Sequence, residues 1–86
     1  MNISFSGKSS TDPETFGISF EAIVDGVQVR CRVSTEALQD IDSSSATSDA
    51  ASQFTSNSSS FERIAEKLIR AGRVNNGQVF INSADL

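Results

Sequence analysis

Cys31 is the only thiol in the chain and its one obvious nucleophile. A reactive thiolate needs a neighbouring base or cation to lower its pKa, and the chain contains no His. Alternation along the surrounding residues puts Cys31 between Val29 and Val33, facing inward. There a free thiol behaves as a small, protonated hydrophobe. Arg30, Arg32, Arg63, Arg70 and Arg73 form a second set, and together they could hold an anion or a nucleic acid. A plainer account covers the same five: Arg30 and Arg32 share a solvated strand face, and Arg70 and Arg73 suit the negative end of a helix. The acids Asp40, Asp42 and Asp49 flank a serine-rich stretch. Residues 42–49 lack the turn Gly and the terminal bidentate Glu that a calcium loop needs, so the stretch reads as a polar linker. No serine lies in a Gly-x-Ser-x-Gly elbow, and no glycine-rich phosphate loop is present. These residues point away from an enzyme, and they imply neither a cofactor nor a metal site nor an identifiable small-molecule substrate.

The bulk numbers agree. The chain has 86 residues, a net charge of −4 and a pI near 4.5. That balance favours solubility and opposes general attraction to nucleic acid or anionic lipid. No apolar run approaches the roughly 18–20 residues of a membrane span. The start of the chain, Met1-Asn2-Ile3-Ser4-Phe5, lacks the basic and apolar regions of a signal peptide. With one unpaired thiol, the expectation is a cytoplasmic protein.

The elements that position these side chains are legible from periodicity. Ile18, Phe20, Ala22 and Val24 alternate with polar or outward residues, as do Val27, Val29, Cys31 and Val33 after Asp25-Gly26. Two alternating runs joined by Asp-Gly predict a hairpin with a two-residue turn. That register pairs 24 with 27, 22 with 29, 20 with 31 and 18 with 33, all apolar, and sets Glu21 opposite Arg30 on the other face. Ser34 is placed to cap a short helix from Thr35 to about Asp40. Phe54, Phe61, Ala65 and Leu68, with Ile64 and Ala71, form one stripe of an amphipathic helix. The spacing predicts a helix from about Asp49 to Ala71, capped by Gly72. The weak point is Ser56–Ser60, four Ser and one Asn. Asn75-Asn76-Gly77 is a turn, and 78–82 is a strand with Val79 and Ile81 inward. Residues 2–5 can add an edge strand with Ile3 and Phe5 inward. The sum is one α+β domain over residues 1–86, with 6–15 and 43–48 as loops. It has an antiparallel sheet of three or four strands, and a short and a long helix pack on one of its faces.

The segment from Phe20 to Leu38 has Asp25-Gly26 at its turn and Cys31 on the returning strand. With Ser34-Thr35-Glu36-Ala37-Leu38 at the following helix start, it resembles the short bacterial proteins of domain-of-unknown-function family 1488. Phe54, the helix end Ala71-Gly72-Arg73, Gly77, Val79 and Asp85 fit the same layout, and the resemblance spans roughly residues 16 to 86. It implies an α+β fold with helices on one face and carries over no catalytic residue. The serine-rich 43–60 stretch departs from the family pattern.

Helices can cover only one face of the sheet in a chain this short. The other face would then present Ile23 and Phe80 beside Arg30 and Arg32. These four residues are the candidate interaction surface of a non-enzymatic protein-interaction module or homodimer. The alternative is a weak nucleic-acid or anion binder through Arg30, Arg32, Arg63, Arg70 and Arg73.

Overall fold

The computed structural model describes residues 1–11, 17–41 and 50–86. The strands are β1 (Ile3–Thr11), β2 (Ile18–Val24), β3 (Val27–Val33) and β4 (Gln78–Ile81). The helices are α1 (Thr35–Asp40), α2 (Ala50–Ser56) and α3 (Ser58–Arg70), with a closing 3₁₀ turn at Ser83–Asp85. The strands form one sheet in the order β1-β2-β3-β4, and the class is α+β.

The β2–β3 hairpin has the register that its sequence predicts, from Val24↔Val27 through Ile18↔Val33. Asp25 and Gly26 both take positive φ, 50° and 85°, as a tight two-residue hairpin turn of this hand demands. Its buried face supplies Ile18, Phe20, Ala22, Val29, Cys31 and Val33 to the core. β4 adds Val79 and Ile81, and the helices add Ala37, Leu38, Phe54, Phe61, Ala65 and Ile69. An aromatic chain runs through this layer: Phe5 to Phe20 at 6.0 Å, Phe20 to Phe54 at 5.1 Å and Phe54 to Phe61 at 5.8 Å.

Ser34 caps α1, its hydroxyl accepting from the Ala37 amide at 3.1 Å. Gly72, at φ 78°, ends α3 with the Arg73 amide returning to the Leu68 carbonyl.

Three features differ from the sequence expectation. The sheet is mixed: β4 pairs with β3 in parallel, Arg30↔Gln78 through Val33↔Ile81. The chain crosses over the sheet through its helices between the two strands, and such a crossover returns in the same direction. Second, β1 continues through residues 6–11, which read as loop. A register shift between Phe5 and Ser9, with Gly7 at φ 81°, carries the strand past its polar half. Residues 12–16 and 43–48 lie outside the described residues. Third, the long helix is two helices meeting at Asn57, within the serine-rich weak point. Asn57 leaves helical geometry (φ −125°, ψ 19°), and its side-chain amide donates to the Gln53 carbonyl at 3.0 Å. The expected start at Asp49 is outside the described residues.

Candidate interaction surface

The alternation that buries Cys31 sends its neighbours to the opposite face, which no helix of the core covers. Three rows cross that face. Ser10, Ser19, Arg32 and Phe80 form one, Glu21, Arg30 and Gln78 the next, and Ser4, Ile23 and Gln28 the third.

Phe80 is 51% exposed and Arg30 is exposed, whereas Ile23 is half-buried. Arg32 is only 8% exposed. Its guanidinium lies 5.1 Å from the Phe80 ring centre, and Nη1 donates to Gln78 Oε1 at 3.4 Å. The guanidinium and ring therefore hold each other as a cation–π pair. Ile23 and Phe80 are separated by four residues along the strands and two strands across, on the order of 16 Å. The Glu21–Arg30–Gln78 row runs between them. The face is thus apolar at two corners and polar through the middle, where a shallow groove of about 570 Å³ runs beside Glu21, Gln28, Arg30 and Gln78.

Glu21 and Arg30 stand directly opposite each other, as the hairpin register requires. Yet among the described residues neither side chain forms an ion pair or hydrogen bond. Among the described residues these two charges of opposite sign have no side-chain partner, and they sit in the row next to the buried Ser19 and Arg32. The hairpin register predicts that the two face each other, but it does not reach Gln78, whose place beside Arg30 depends on the parallel register of β4.

The five arginines do not converge. Arg30 and Arg32 belong to the open sheet face, while Arg63 and Arg70 are exposed on α3, which packs on the other side, and Arg73 is exposed just beyond it. Arg70 is held by Glu66 at 3.4 Å. Cys31 is fully buried, and burial pushes its thiol up to about 12. Among the described residues no three of His, Cys, Asp and Glu come together to hold a metal ion. Among the same residues no helix is long and apolar enough to cross a membrane.

Residues 3–81 match the family described as "Protein of unknown function (DUF1488)". The chain belongs to this family. The DUF1488 chain is also similar in fold to a solved structure, described as a protein of unknown function from the DUF1488 family of Shewanella loihica PV-4. The two share 24% sequence identity with a TM-score of 0.75, over 94% of each chain. No curated protein matches the DUF1488 chain in sequence.

Proposed function

We propose that this DUF1488 chain is a non-enzymatic, cytoplasmic protein-interaction module that works through the helix-free face of its sheet. One observation carries the reading: among the described residues this sheet face carries no helix, and it presents a half-exposed Phe80, with Arg32 stacked on it, beside an exposed Arg30 that has no side-chain partner there. Aromatic residues and arginine are the types enriched where proteins meet. The non-enzymatic part draws support from Cys31, whose raised pKa keeps the only thiol protonated and inert at neutral pH.

The test compares the two faces. A photoreactive side chain at position 30, on the open face, is expected to give discrete protein adducts in cells, and Phe80→Ser should remove them. The same group at position 63, on the exposed side of α3, is expected to give none. Equal labelling from both positions, or labelling indifferent to Phe80→Ser, would overturn the reading.

A further inference from the structure

We infer that the chain pairs with a second copy of itself through the outer edge of β1 and the residue before it, residues 2–6, with the two strands antiparallel about a two-fold axis at Ser4. This goes beyond the interaction reading above: it uses the edge of the sheet and not its helix-free face, and neither depends on the other.

Hydrogen-bond direction defines the edge. Alternate residues of a strand aim their N–H and C=O groups to one side and then to the other. The Arg30 N–H donates to the Gly77 carbonyl at 2.9 Å, so Arg30 turns its backbone toward β4. Val27 and Val29 then turn toward β2, and their partners Val24 and Ala22 turn toward β3. That leaves Ile23 to bond β1, at Ser4, and the Asp25 N–H donates to the Asn2 carbonyl at 2.8 Å in the same alternation. Asn2 and Ser4 therefore serve β2, while Ile3 and Phe5 aim both backbone groups outward. Among the described residues those outward groups have no hydrogen-bond partner. The β4 edge is stopped on both sides of Phe80. Gln78 exchanges both of its outward bonds with Asn75, at 2.9 Å each, and the Asn82 N–H donates to Asp85 Oδ2 at 3.0 Å.

The edge sequence selects the occupant. Asn2-Ile3-Ser4-Phe5-Ser6 carries no charge, so nothing in it repels an identical strand. Ile3 and Phe5 are half-buried on the helix side of the sheet. A two-fold axis at Ser4 sets Ile3 opposite Phe5 of the partner subunit and makes the same pair a second time. Both are outward residues, so each pair exchanges both of its backbone hydrogen bonds. An aromatic ring opposite a β-branched side chain is a favourable cross-strand pair, and pairing takes both further out of water. Centring the axis on Phe5 would instead set Ile3 against Gly7. A second copy also presents these groups already held in a strand, so no flexible segment has to be ordered on binding.

The bulge sets the length. Gly7 has φ 81°, and the Lys8 N–H turns back to Ser6 Oγ at 3.2 Å, so the strand leaves the line of the ladder and carries a charge just beyond it. So short a ladder makes a reversible dimer, with a dissociation constant on the order of micromolar or weaker.

The experiment is sedimentation equilibrium on the full chain, with circular dichroism to confirm folding. Wild type is expected to pass from monomer to dimer with concentration. Ser4 is exposed, and in the dimer it faces Ser4 of the partner subunit with Cβ atoms about 5 Å apart. Ser4→Lys and Ser4→Glu should each weaken the dimer by about 10-fold or more, because each sets like charges opposite each other. An equal mixture of the two variants should associate at least as well as wild type, which a merely destabilised fold would not do. Ser4→Cys should cross-link to a dimer on oxidation, with Cys31 fully buried and out of reach, whereas Ser10→Cys beyond the bulge should not. Phe80→Ser should leave the dimer unchanged. A wild type monomeric at millimolar concentration, a dimer indifferent to charge at position 4, a mixture no better than the single variants, or equal cross-linking from positions 4 and 10 would overturn the edge pairing. A dimer lost in Phe80→Ser would overturn it too, and would place the contact on the sheet face.

Discussion

The two faces of the sheet come from one alternating pattern and do opposite work. On the inner face Ile18, Phe20, Ala22, Val29, Cys31 and Val33 are closed off from water, and only Val24 and Val27 beside the turn reach it. On the outer face the same strands carry Ser19, Glu21, Gln28 and Arg30, with an aromatic ring at one corner. Phenylalanine shows the contrast within one residue type. Phe61 is fully buried, and Phe80 is half in water. The inner face determines whether the chain folds, while the outer face is closed at Ser19 and Arg32 and exposes Gln28, Arg30 and Phe80.

Phe61→Ala should sharpen this contrast most. It deletes a ring packed against Phe54 in the helical layer and leaves a cavity, at a cost of about 3–5 kcal/mol. Against a total stability of about 5–15 kcal/mol, that brings the domain close to unfolding at 37 °C. Urea denaturation measures it, and a loss under about 1 kcal/mol would mean that the helices do not pack on this face.

Cys31 gives the inner face a pH dependence. Burial raises its thiol from 9.0 to about 12, so the folded state keeps its proton where the unfolded chain loses it. The stabilisation is intact below pH 9 and drains away as pH rises toward 12. The slope is about 1.4 kcal/mol per pH unit over that window. Thermal melts from pH 7 to 10.5 should show this loss in the wild type and a flatter profile in Cys31→Ala. Identical profiles would mean that the thiol is open to solvent.

Much of this was legible in the sequence because several physical signals coincide there. In the hairpin, alternation, Asp25-Gly26 and apolar pairing all specify one register, and the structure has it. The Phe54–Phe61–Ala65 stripe located the helical layer through the serine-rich composition, and the break fell at Asn57, where polar side chains compete for the backbone. What was not legible depended on other parts of the chain. Residues 6–11 carry no apolar alternation because they lie on an edge with water on both sides, so only pairing to β2 reveals them as strand. The direction of β4 is a property of the crossover and not of its four residues. The candidate surface was legible as a list of residues but not as an arrangement. Ile23 and Phe80 both face outward, but they stand at opposite corners, and Arg32 is committed to Phe80.

Two glycines separate the ways in which a backbone position can demand glycine. A Cβ at Gly26 meets nothing, but φ is 85°, so Gly26→Val carries conformational strain alone and should cost more than about 1 kcal/mol. Gly17 has ordinary φ, but a Cβ there would run into the Val33 carbonyl oxygen, so Gly17→Ala should also be destabilising through a clash at the base of the inner face. The turn signal at 26 was visible in the sequence, and the close approach at 17 was not. Melts of the two variants test both mechanisms. A neutral Gly17→Ala would show that the strand can shift away from its neighbour.

The smallest expected effect on stability is at the centre of the outer face. The Arg30 side chain has no ion-pair or hydrogen-bond partner among the described residues and is exposed, so Arg30→Gln should change stability by less than about 0.5 kcal/mol. The same substitution removes a charged group from the proposed interaction surface, so it should still weaken association with a partner. A side chain that fold stability can spare and association cannot is serving a surface outside its own chain. A loss of stability comparable to that of Phe61→Ala would instead show that Arg30 is held within the monomer, and the contrast between the two faces would collapse at its centre.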